Sequence, residues 1–153
     1  MKIWMIRLMV ALLLPACVVR GQTGESEKVE PDSLPKFAGV WRGQTDNLPA
    51  VDIVITDEGG DGLHGAILFY FHFRPDVNAP WTSKPGLPEP LFNMRVEGEM
   101  LRFEVSHRHA HPPRTLKDPP VPFRLKLIGP DRVEIVNDNE RNGPPLILTK
   151  SAY

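Results

Sequence analysis

A chain of 153 residues is enough for one domain around a single core. Its 18 lysines and arginines against 19 acidic residues give a formal charge of −1. Setting aside Lys2, Arg7 and Arg20 near the N-terminus brings it to −4, which argues against nucleic acid as a partner, since that calls for a basic face. Cys17 is the single cysteine, so neither an internal disulfide nor a thiolate metal cage is expected.

Residues 1–21 read as a signal peptide. Lys2 and Arg7 make a positive start, and Leu8 to Leu14 form an apolar run too short to span a bilayer. Cleavage after Gly21 leaves Val19 and Gly21 at the small-residue positions. The alternative is cleavage before Cys17 with lipid attached there, because Leu14-Pro15-Ala16-Cys17 resembles a bacterial lipobox. The first reading predicts a secreted or periplasmic protein. The second predicts a lipoprotein that meets the membrane only through Cys17. Residues 22–36 are polar and acidic, with almost nothing to bury, and read as a disordered linker.

From residue 37 the chain reads as eight short strands. The first lies near Ala38–Gly43. In the second, Val51, Ile53 and Ile55 alternate with polar residues. The third, Leu63 to Phe73, is apolar on both faces, so a central or doubly covered strand is expected. The fourth lies near Leu91–Val96. In the fifth, Leu101, Phe103 and Val105 alternate with Arg102, Glu104 and Ser106. In the sixth, Val121, Phe123, Leu125 and Leu127 alternate with Pro122, Arg124 and Lys126. Val133 and Ile135 mark the seventh, and Leu146–Lys150 the eighth. Such alternation is the mark of antiparallel strands with one wet face. The 17 prolines, mostly in the connections, argue against helices.

The connections alternate in length. Those at 44–49, 75–90, 107–120 and 137–144 read as long, whereas 58–62, 97–99 and 129–131 read as tight turns. In a meander, alternate connections lie at opposite ends, so the long ones gather at one end. Closing the sheet removes its bare edges, and eight strands enclose room for side chains or one small ligand. The expected fold is all-β: an eight-stranded antiparallel up-and-down barrel of residues 37–150, with a sandwich as the structural alternative. Its core is predicted to hold Trp41, Val51, Ile53, Ile55, Leu101, Phe103, Val105, Phe123, Leu125, Leu127, Val133, Ile135, Leu146 and Leu148.

Gly39-Val40-Trp41 resembles the Gly-x-Trp segment that opens the first strand of lipocalins and other calycins. The eight-strand meander with long loops at one end is also similar. Gly39-Val40-Trp41-Arg42-Gly43, Gly62-Leu63-His64-Gly65 and Leu101-Arg102-Phe103-Glu104-Val105 are similar to segments of small secreted bacterial β-domains that can accompany α/β-hydrolases. The lipocalin resemblance implies a basic residue on the last strand packed on the tryptophan; the sequence does not place it, and Lys150 is a candidate only.

Candidate site residues concentrate at the long-loop end. If Leu101, Phe103 and Val105 face inward, an extended continuation puts His107, His109 and His111 on that side, and Pro112 favours extension at His111. Strand residues two apart lie roughly 6.6 Å from each other, so only adjacent pairs of these histidines could share an ion. A further ligand would have to come from His72, Asp138 or Glu140. The plainer reading is local hydrogen bonding, and no metal or other cofactor is expected. Arg114 could hold a carboxylate by a two-pronged bond or tie its loop down, for example to Asp118. Trp81, between Pro80 and Pro85, could form a lid or pack over the open end. No Gly-x-Ser-x-Gly elbow, phosphate loop or cysteine nucleophile is present, and no catalysis is expected. The expected function is small-ligand binding in the envelope through His107, His109, His111, Arg114, Trp81 and His72. The alternative is a non-catalytic interaction domain that meets a protein partner through the same loops, its interior packed.

Overall fold

The computed structural model describes residues 36–59, 62–110, 112–140 and 144–152. The signal peptide and all of the expected linker but Lys36 lie outside them, as does His111. Ten strands follow in series: β1 (Gly39–Thr45), β2 (Leu48–Asp57), β3 (Leu63–Phe73), β4 (Thr82–Pro85), β5 (Glu89–Pro90), β6 (Phe92–Glu97), β7 (Met100–Val105), β8 (Val121–Gly129), β9 (Arg132–Asn137) and β10 (Leu146–Ser151). There is no α-helix among the described residues. Every pairing is antiparallel, in the order β4-β3-β2-β1-β10-β9-β8-β7-β6, with β5 also against β3. The sheet curls into an open half-barrel.

Each of the eight expected positions carries a strand, and the first pairs with the last through Trp41 opposite Lys150. The expectation of a closed eight-stranded ring needs correction on two points. Nine strands lie on the pairing path, and no ladder joins β3 to β6. The extra strands, β4 and β5, come from residues 75–90, whose prolines hide any alternation. This segment lies along β3, with Gly86 N–H donating to Phe69 O and Leu91 N–H to Gly65 O at 2.8 and 2.9 Å. Gly65 permits that approach, since a Cβ there would stand 2.9 Å from Leu91 Cδ1 and 2.6 Å from Val54 O.

The connection at 44–49 is also corrected. It is a two-residue turn at Asp46-Asn47, both at positive φ (51° and 63°), the geometry that matches the strand twist of a hairpin. The other three long connections, at 74–91, 106–120 and 138–145, do fall at one end by strand direction.

The core is the inward row of each strand. Trp41, Ile53, Ile55, Ile67, Leu101, Phe103, Val105, Leu125, Val133 and Leu148 are sealed from solvent. Of the predicted core, only Leu127 and Leu146 are half-buried, packed against its margin. The expectation that β3 is covered on both faces holds only in part: Ile67 is fully buried, but most of its residues are half-buried and Phe71 is exposed. At the tight-turn end Phe37 is fully buried, and its carbonyl accepts a 2.8 Å bond from Trp41 Nε1–H. Lys150 Nζ lies 5.3 Å from the centroid of the Trp41 ring. Gly39 leaves it room: a Cβ there would meet Lys150 Cε at 2.6 Å. One end is thus plugged by Phe37 and Trp41, and a site is left to the other.

Candidate functional site

At the loop-rich end the core finishes in aromatic rings. Phe103 and Phe123 stack at 5.7 Å, and Phe69 stands 6.0 Å from Phe123. His107 follows two residues after β7 and takes φ of 51°, so the strand does not continue through it. Its imidazole nevertheless turns inward and sits 5.0 Å from Phe69 and 5.8 Å from Phe123. The inward placement expected of His107 is therefore observed, reached by a turn in the backbone rather than by strand parity.

Above these rings lies a cleft of about 360 Å3, lined by Phe69, Phe71, Gly86, Leu87, Glu89, His107, His109, Ala110, Phe123, Asn137 and Glu140. That is near the lower limit for a small-molecule site. A neighbouring cleft of about 160 Å3 shares Phe69, Phe123, Asn137 and Glu140 and reaches Pro144 and Leu146.

The residue that sequence reasoning missed is Glu89. It is only 5% exposed and is the one charged residue among the buried ones described. Its partner is His107, whose Nδ1 lies 3.2 Å from Glu89 Oε1. Oε2 is buried and accepts no hydrogen bond from the described residues. A glutamate in a proline-rich stretch reads as solvated. The available signal was its place between Pro88 and Pro90, which favours extended backbone. Extension here pairs Glu89 with Ile67 and turns its side chain into the interior.

The other candidates separate. His109 lines the same cleft from an exposed position. His72 and Trp81 line a different cleft, with Asp46 and Leu48 beside the β1–β2 turn. There His72 Nε2 lies 2.7 Å from the Pro49 carbonyl, and the Arg74 guanidinium lies 5.1 Å from the Trp81 ring. Arg114 does not line the main cleft. It ties down its own loop by donating to Pro119 O at 2.8 Å, while Asp118 accepts from Thr115 rather than from Arg114. Asp138 faces Arg124 and Arg102 at 2.7 and 3.6 Å. Among the described residues no three histidine, aspartate or glutamate side chains converge as a metal site would require.

The arrangement can enclose a small, mostly apolar body on aromatic rings and offer it a carboxylate oxygen and an imidazole. Compared with models of protein families, with curated proteins and with solved structures, the chain matches none.

Proposed function

We propose that the protein binds a small molecule, without catalysis, in the cleft at the loop-rich end of its half-barrel. The observation that carries this reading is the Glu89–His107 pair set among Phe69, Phe71, Leu87 and Phe123. An apolar concavity with a few convergent polar groups is the usual form of such a site. The Lys150–Trp41 stacking and the pairing of first and last strands support a distant calycin-like ancestry and an eight-strand barrel plan. The features of residues 1–21 support action outside the cytoplasm.

Native mass spectrometry of the gently purified protein is expected to show a retained small molecule or adducts from an added aromatic panel. Leu87→Asp places a charge in the apolar wall at an exposed position. It is expected to weaken binding at least about tenfold with Tm nearly unchanged, since exposed substitutions alter stability little. A protein that retains nothing and takes up no panel member overturns the proposal.

A second reading, a protein-docking surface at the same end, draws on exposed Phe71, Val77, Trp81 and Leu87. It is favoured if the unaltered protein retains no small molecule and takes up none from the panel.

A further inference from the structure

We infer that Glu89 is the anchor of the cleft and selects a compound with one or two rings and a protonated amine. This rests on the cleft being a ligand site and specifies the ligand's chemistry.

Glu89 Oε1 is already engaged by His107 Nδ1 at 3.2 Å, whereas Oε2 has no partner among the described residues. An ionised carboxylate held out of water is costly unless each oxygen is satisfied. An alkylammonium group offers three donors and a positive charge, so it answers both needs.

The surroundings favour the same charge. Two carboxylates, Glu89 and Glu140, line the cleft, and no lysine or arginine does so among the described residues. Arg114, the cation that would have favoured an anionic ligand, is turned to Pro119. Phe69, Phe71 and Phe123 present rings, whose faces attract a cation as well as an apolar body. The volume of about 360 Å3 limits that body to one or two fused rings. With Nδ1 turned to Glu89, His107 leaves Nε2 as its second polar atom for the ligand.

The test compares three probes of one shape by isothermal titration of the full-length chain: 2-(1-naphthyl)ethylamine, 2-(1-naphthyl)ethanol and 1-naphthylacetate. The amine is expected to bind the unaltered protein about tenfold or more tightly than either other probe. Glu89→Gln keeps the shape and an acceptor for His107. It is expected to remove most of that preference while changing alcohol binding less than about twofold. Equal binding of all three probes, or preference for the acetate, overturns the amine assignment and leaves the cleft as a ligand site. Failure of all three overturns both. If Glu89→Gln does not fold, the ranking of the three probes on the unaltered protein still decides whether the cleft selects an amine.

Discussion

Single residues set the chemistry here by whether their polar atoms are satisfied. Glu89 and Asp118 are opposite cases. Glu89 is buried with one oxygen unpartnered among the described residues, whereas the exposed Asp118 accepts from Thr115 N–H at 2.6 Å and from Thr115 Oγ1–H at 3.1 Å. The backbone bond first, and then the hydroxyl, hold the Asp118 carboxyl below the ordinary aspartate value. With the folded value depressed, its contribution to the order of the loop is present above the ordinary value and fades as the pH falls through the folded one. The Thr115 amide resonance is therefore expected to titrate with a midpoint below that of a free aspartate, and to lose this step in Asp118→Asn. A midpoint at the ordinary value would show that the bond does not persist in solution. The candidate site was partly legible at this scale. The alternation of Leu101, Phe103 and Val105 pointed to an inward His107, but the turn at φ 51° that brings it there was not legible. Glu89 could not be found, because its burial depends on a pairing with Ile67 22 residues earlier in the chain.

Among the elements, alternation made the strands legible wherever one face is wet and the other dry. β2, β7, β8 and β9 show that pattern, and their inward residues are buried as expected, save the half-buried Leu127 of β8. β4 and β5 were not legible: four and two residues long and rich in proline, they carry no pattern of their own and are aligned by β3. The β1–β2 turn was missed for another reason. Its polar residues read as a long loop, whereas Asp46 and Asn47 adopt positive φ and reverse the chain in two residues. Asn and Asp tolerate that region, glycine enters it freely and β-branched residues do not. Asn47→Gly is expected to leave stability unchanged or raise it by up to about 1 kcal/mol, while Asn47→Val should cost about 1–2 kcal/mol. Urea denaturation of the two variants checks the order, and equal stabilities would show that the hairpin is not fixed by this turn.

For the molecule as a whole, the two ends of the half-barrel are built differently. Phe37 and Trp41 seal one, while the other ends in His107 and a cleft. The all-β plan, the core rows and the gathering of long loops at one end followed from alternation and strand direction. The unclosed ladder between β3 and β6 did not, because nothing local encodes which edges meet.

That gap has a consequence for how the protein breathes. Pro85, Pro88 and Pro90 carry no N–H, so between β4 and β6 the segment holds β3 only through the two-residue β5 ladder and the bonds from Gly86 and Leu91. Its local opening should take less free energy than parting β1 from β10. In native-state hydrogen exchange, the Gly86 and Leu91 amides are expected to exchange well ahead of Trp41 and Leu148, and equal rates would show that the seam opens only with the whole fold. Each opening would bare the edge of β3, a row of unpaired backbone groups ready to accept a foreign strand. Self-association on storage, if it occurs, should begin at this seam, and an occupant of the cleft gripping Glu89 would slow it by holding the segment shut.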